Sequence, residues 1–316
     1  MKIQLGISTN FAIKRWADPE DWVRVVVQEL GLRLIQFSFD QFDPRSAPDI
    51  AAAYGYRVRN ACEKYGARIH STFTGLSIYS HNLLFHPLPE GRRDGADWFE
   101  KSFALTRELG AGAIGGPYGG MDLKTFNDPN RYGKAKELAE EALVELLWRA
   151  ETYGITRFYW EQTPLLREGP VGIVQTLEHL EKINRMRKGR GAEFALCLDV
   201  GHAISPDASG DDRDPYAWLE RLASHAPMIH LQQTDGRYDR HWPFTAAFNS
   251  DGIIHADKVL ESLCKSSDGD SVLFIEVVHP FEEKDSRVLQ DMIETVAYWR
   301  DALDARFRSE QGGWVG

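Results

Sequence analysis

Four residues whose side chains could share one cation stand at the ends of four separate apolar runs. Glu161 closes Thr156–Glu161, Asp199 closes Phe194–Asp199, His230 lies near the end of Met228–Gln232, and Glu276 lies near the end of Val272–Val277. A carboxylate in such a place costs several kcal/mol to desolvate unless a cation, a donor or water meets it. A single acid there is commonly a helix cap or half of an ion pair. Four at successive run ends are hard to assign to caps, and they read as metal ligands converging on one point. Three carboxylates and one imidazole make a hard, oxygen-rich set suited to Mn²⁺ or Mg²⁺, with Co²⁺ or Zn²⁺ as alternatives.

Other polar residues cluster near these ends. His202 follows Asp199 by three positions, past Gly201, and reads as a substrate-facing imidazole or as a ligand of a second ion together with Asp239 and His241. The stretch Gln232–Trp242 is rich in aromatic residues and donors. It reads as a wall for a polyhydroxylated or phosphorylated ligand, with Gln233 as a contact and Arg237 and Arg240 as anion clamps. His70, in a third-strand run, is a further candidate for substrate contact, and Asn10 follows the first run. The glycine-rich Gly115–Gly120 lacks the Lys-Ser/Thr ending of a phosphate loop and is a weak signal. His81, His86, His179, His225 and His255 lie away from run ends and are expected on loops or the surface; His279 could approach the site.

The elements needed to position these side chains repeat along the chain. Eight short runs rich in Val, Ile, Phe and Leu read as strands: Ile3–Ser8, Leu32–Ser38, Ala67–Thr72, Ala113–Gly116, Thr156–Glu161, Phe194–Asp199, Met228–Gln232 and Val272–Val277. All-apolar runs suit a parallel sheet covered on both faces. Helical patterns fill the gaps. Asp18 and Pro19 open one that Gly31 ends, and Leu138, Ala142, Leu146 and Ala150 recur at helical spacing within Lys134–Tyr153. Eight strand–helix units in 316 residues predict a single (β/α)8 barrel over residues 1–307, with 308–316 as a flexible tail. The runner-up, an open doubly wound sheet, requires a glycine-rich turn after the first strand, where Thr9-Asn10-Phe11 stands instead. In a barrel the active site gathers at the C-terminal strand ends, where Glu161, Asp199, His230 and Glu276 fall.

Bulk properties narrow the partners. With 37 Lys and Arg against 47 Asp and Glu, the net charge of −10 disfavours duplex nucleic acid as a partner. The three cysteines form no CxxC pair and read as reduced thiols. No run approaches the length of a membrane span, and Met1–Gly6 enters a strand directly, which predicts a cytoplasmic protein.

The combination of Glu161-Gln162-Thr163-Pro164, Asp199-x-x-His202, His230 and Glu276 resembles the xylose isomerase-like barrel superfamily of ketose 3-epimerases, hydroxypyruvate isomerases and endonuclease IV. The likeness spans nearly the whole chain. Ile7–Ala12, Gln232–Gly236 and Asp239–Trp242 look most like the tetrulose-phosphate (erythrulose phosphate) epimerases of erythritol breakdown. The resemblance implies one divalent ion on Glu161, Asp199, His230 and Glu276, a substrate contact from His202, and proton exchange by the two glutamates through a metal-bound cis-enediolate. It also implies a small sugar or sugar phosphate as substrate, and a homo-oligomer. Epimerisation and aldose–ketose isomerisation both remain open. The epimerase branch carries an arginine six residues after the His230 match; here that place is Gly236, and Arg237 follows. The competing branch, endonuclease IV, is a multinuclear zinc phosphodiesterase acting on abasic DNA. Its ligand pattern falls on His70, Glu161, Asp199, His202, His230, Asp239, His241 and Glu276. It also needs a histidine at the fourth strand end, where Gly115-Gly116-Pro117 stands.

Overall fold

The computed structural model of the protein describes residues 2–266 and 270–307. Eight strands lie at Ile3–Ser8 (β1), Leu34–Ser38 (β2), Arg68–Phe73 (β3), Ala113–Gly115 (β4), Arg157–Glu161 (β5), Glu193–Asp199 (β6), Met228–Leu231 (β7) and Ser271–Ile275 (β8). They pair in parallel in sequence order, and β8 returns to β1 from Ile3↔Ser271 to Ile7↔Ile275, closing the barrel. Closure excludes the open doubly wound sheet. The eight expected runs are these eight strands, shifted by two residues or fewer at either end.

Helices form the outer ring because their apolar stripes find the outer face of the sheet. Asp18 accepts from Glu20 N at 2.9 Å and opens the helix Pro19–Arg24, whose continuation ends before Gly31 at φ +66°. The helix anticipated from Lys134 begins earlier, at Pro129, because the Asp128 carboxylate caps Asn130 N and Arg131 N. The segment 308–316, expected as a tail, lies outside the described residues.

Inside the barrel, Leu34, Phe73, Ala113, Tyr159, Ala195, Cys197, Met228 and Phe274 pack as a second small core. Glycines make room for its rings: a Cβ on Gly6 would stand 2.5 Å from the Phe274 ring, and one on Gly115 would stand 2.3 Å from the Phe73 ring. This plug is the floor of the barrel mouth, and the Phe73 ring lies 4.6 Å from the His230 ring.

Candidate metal centre and substrate cavity

Parallel strands of one barrel end together at one face, so the last side chains of β5 and β6, the third of β7 and the first after β8 meet above the plug. Glu161, Asp199, His230 and Glu276 each offer an atom within 4.8 Å of the others. All four are buried, with exposures of 7%, 2%, 0% and 6%. His230 Nδ1 lies 2.8 Å from Glu161 Oε1 and 2.8 Å from Glu276 Oε2. Its Nε2 turns into the barrel interior and has no hydrogen-bond partner there. Asn10 Nδ2 donates to Glu276 Oε1 at 2.9 Å, which orients that carboxylate.

The electrostatics of the set are unbalanced. Burial holds Glu161 and Asp199 above the usual carboxylate range. For Glu276, burial works in the same direction, but His230, His241 and His202 outweigh it and hold the group at about 2. Three buried carboxylates around one imidazole are under-compensated, and a divalent cation supplies the missing charge. The donor set therefore fits a hard metal ion.

A second group stands beside the first. His202 Nδ1 donates to the Gln162 carbonyl at 2.7 Å, and its Nε2 lies 3.2 Å from Asp239 Oδ2. His241 Nε2 lies 3.2 Å from Asp239 Oδ1. Burial would lower both imidazoles, but Asp199 and Asp239 prevail at His202, holding it well above its ordinary value, and Asp239 and Glu276 raise His241 to about 10.

The cavity over these groups is lined by Asn10, Thr74, Tyr79, Thr163 and Val278 with Glu161, His202, Asp239, His241 and Glu276, and measures about 50 Å³. Tyr79, on the short helix Leu76–Tyr79, donates to Glu168 Oε2 at 3.0 Å and closes one side.

Several expected contacts are not brought to this cavity. His70 sits low in β3, stacked against Tyr159 with ring centroids 5.9 Å apart and tilted against Phe274 at 5.3 Å. Burial, helped by Arg68 and Arg157, lowers it to about 4. It lies three residues before the strand end, roughly 10 Å below the mouth at about 3.3 Å per residue. Gln233 is spent on the scaffold: Nε2 donates to Asn249 Oδ1 and Ile254 O, and Oε1 accepts from Thr234 N and Ile254 N. Arg240 pairs with Asp235 at 2.8 Å and lies over the Tyr238 and Trp242 rings, while Arg237 is exposed. Neither arginine lines the cavity. His279 pairs with Asp291 at 3.3 Å. His179, expected at the surface, is buried on the helix Ile173–Met186 with Tyr118 Oη at 2.8 Å.

Other residues have roles that sequence reasoning left unassigned. Gln162 clasps the main chain of Asp199: Nε2 donates to its carbonyl at 3.0 Å, and Oε1 accepts its N–H at 3.2 Å. Gln232 donates to the Asp199 carboxylate at 3.0 and 3.1 Å. Each directly follows a strand-end ligand or its neighbour, a signal that was available. Tyr79 and Glu168 carried none, because loop geometry alone brings them together.

With the fold and site in view, comparison with known proteins gives one answer. The xylose isomerase-like TIM barrel family matches residues 25–296, and the chain belongs to it. The chain is similar to the D-erythrulose 1-phosphate 3-epimerase of Brucella abortus (strain 2308), 26% identical over 306 residues, 96% of this chain and 97% of that protein. A solved Rhodospirillum rubrum structure, described as a candidate xylose isomerase, superposes with a TM-score of 0.86 at 28% identity, covering 95% of this chain and 99% of the other. An L-ribulose 3-epimerase structure shares the fold with a TM-score of 0.67 at 17% identity, covering 98% and 99%. The chain is an enzyme of the isomerase class, within a superfamily of sugar epimerases and isomerases. Among the described residues no helix is long and apolar enough to cross a membrane.

Proposed function

We propose that the protein is a divalent-metal-dependent ketose 3-epimerase whose substrate is a tetrulose phosphate. The observation that carries this reading is the buried set Glu161, Asp199, His230 and Glu276, whose excess negative charge calls for a cation at the barrel mouth. The likeness to the Brucella abortus protein supports the choice of substrate. Mn²⁺ or Mg²⁺ suits the oxygen-rich donors, and a bound ion would polarise the carbonyl of a ketose.

The residues of the chain supply the rest. Inverting a carbon beside a carbonyl needs a base on one face and an acid on the other. Glu161 and Glu276 come from β5 and from the turn after β8 and flank His230 Nδ1 at equal distance. One removes the proton, and the other returns one to the opposite face of the flat enediolate. His202 and His241 hold Asp239 between their Nε2 atoms and present their rings to the cavity, where a ketose oxygen would meet them. The cavity lining has no Lys or Arg, so these two imidazoles are the basic groups placed to meet an anionic substrate. Phe73 closes the floor to water.

The deciding experiment is incubation of D-erythrulose 1-phosphate with enzyme and Mn²⁺ in D2O. Deuterium should enter at C3 with formation of the epimer. No exchange with this or any other short ketose, free or phosphorylated, would exclude the reading. The clustering of His202, Asp239 and His241 keeps the abasic-DNA phosphodiesterase as the second reading; chelator-sensitive cleavage of abasic DNA by the same preparation would favour it.

A further inference from the structure

Two overlapping groups of metal-ligating atoms carry carboxylates and imidazoles alone, and a third, Glu161, Cys197 and His230, shares two residues with the first of them. The first is Glu161, Asp199, His230 and Glu276; the second is Asp199, His202 and His241, with Asp239 against both imidazoles. The amide of Gln232 stands inside the second group. Its Nε2 lies 3.0 Å from Asp199 Oδ1, 3.1 Å from Asp199 Oδ2, 2.7 Å from Asp239 Oδ1 and 3.5 Å from His241 Nε2.

The orientation of that amide is fixed by the main chain. His241 N–H, which can only donate, meets Gln232 Oε1 at 2.6 Å, so the NH2 end must face the carboxylates. His241 itself is pinned in the left-handed region, at φ +47°. Room for the side chain comes from Gly201, where a Cβ would stand 2.4 Å from Gln232 Cδ. Gln232 is fully buried, and swinging it away would leave the His241 N–H without its acceptor and take a donor from Asp199 and Asp239. An NH2 group offers hydrogens and partial positive charge to the same oxygens whose lone pairs a second ion would need. Two such claims on Asp199 and Asp239 exclude each other.

We infer that Gln232 sets the cation count of the mouth at one, its amide taking the place that a second divalent ion would fill between Asp199, Asp239 and the two imidazoles. The inference rests on the metal reading above and deepens it. His202 and Asp239 are thereby kept as a hydrogen-bonded pair that faces substrate.

The test is metal stoichiometry, which does not depend on turnover. Wild type, Gln232→Glu and Gln232→Ala are loaded with MnCl2, freed of excess ion, and examined by elemental analysis and electron paramagnetic resonance. Glutamate keeps an acceptor for His241 N–H but replaces the donor with a charge; alanine removes the amide and opens the space, and serves should the glutamate variant not fold. Wild type should hold one Mn²⁺ per chain. The variants should hold two, with a spin-coupled signal absent from wild type. Two ions in wild type, or one in each folded variant, overturns the inference and leaves the single-ion reading intact. No ion in wild type overturns both.

Discussion

His230 and Glu161 meet across the barrel mouth at 2.8 Å, imidazole Nδ1 to carboxylate Oε1, and the same nitrogen is equally close to Glu276. The two glutamates are thus held at a common point, Glu276 by Asn10 on its other oxygen as well. Proton transfer by a positioned carboxylate is worth about 10²–10⁴-fold. Glu161→Gln and Glu276→Gln should each lower the epimerisation rate by about 10³-fold while leaving the circular dichroism spectrum unchanged. A variant that still incorporates solvent deuterium at the wild-type rate removes that residue from the proton path.

Metal removal should abolish turnover and also cost stability, because the buried carboxylates then repel one another. Ligand binding to the folded state adds about 2.7 kcal/mol at a hundredfold excess over Kd. Adding Mn²⁺ to chelated protein should therefore raise Tm by several degrees, and Asp199→Asn should shrink that rise. Melting curves that do not respond to Mn²⁺ or to chelator would contradict an ion at this place.

The Tyr79–Glu168 hydrogen bond ties the helix Leu76–Tyr79 to the loop after β5 over a cavity of about 50 Å³. That space holds only a few waters, so the proposed four-carbon sugar would have to part the two loops to enter. Burial raises Glu168, and Tyr79, which sits near Asp239 and Glu161 as well, keeps its proton and donates it. Losing one such bond costs about 1 kcal/mol. Tyr79→Phe should reduce kcat/KM by roughly fivefold, mainly through KM, with metal content unchanged. An unchanged KM would remove this bond from substrate capture.

His70 and His179 should shape acid stability. Burial, with positive neighbours in each case, lowers them to about 4 and about 3. The unfolded chain takes up protons at these residues near pH 6.5, whereas the folded chain does so only near pH 3–4. Stability is then lost as pH falls through that window and levels off below it. Urea melts from pH 7 to pH 3.5 should show this fall, and His179→Gln should show a slope smaller by about one proton. Equal slopes would mean that His179 is protonated in the folded protein at mild acidity.

Strand ends were the legible part of the site. Glu161, Asp199, His230 and Glu276 could be found because a parallel strand buried on both faces carries its carboxylates at its ends, and barrel closure brings the C-terminal ends to one rim. Gln232 and Gln233 show where that reasoning stops. Adjacent residues in extended backbone point to opposite sides, and sequence does not say which of the two faces the mouth. The antiparallel bridge Gln233↔Trp242 settles it by turning Gln233 into the scaffold and Gln232 onto Asp199 and Asp239. Arg240 is turned to the loop for a related reason: Asp235, only five residues before it, is the nearer anion and is held at about 2 by that pairing, while Arg237 stands exposed outside the cavity lining.

By itself, the sequence determined the number and order of the strands, the barrel and the four strand-end side chains that converge, because hydrophobic periodicity and the cost of burying charge are local properties of the chain. Tertiary structure alone decided which loop residues face the mouth: it placed Tyr79 against Glu168, Gln232 among the carboxylates and His70 beneath the plug. Those positions depend on the direction of side chains from segments far apart in sequence, and packing, not residue type, fixes that direction.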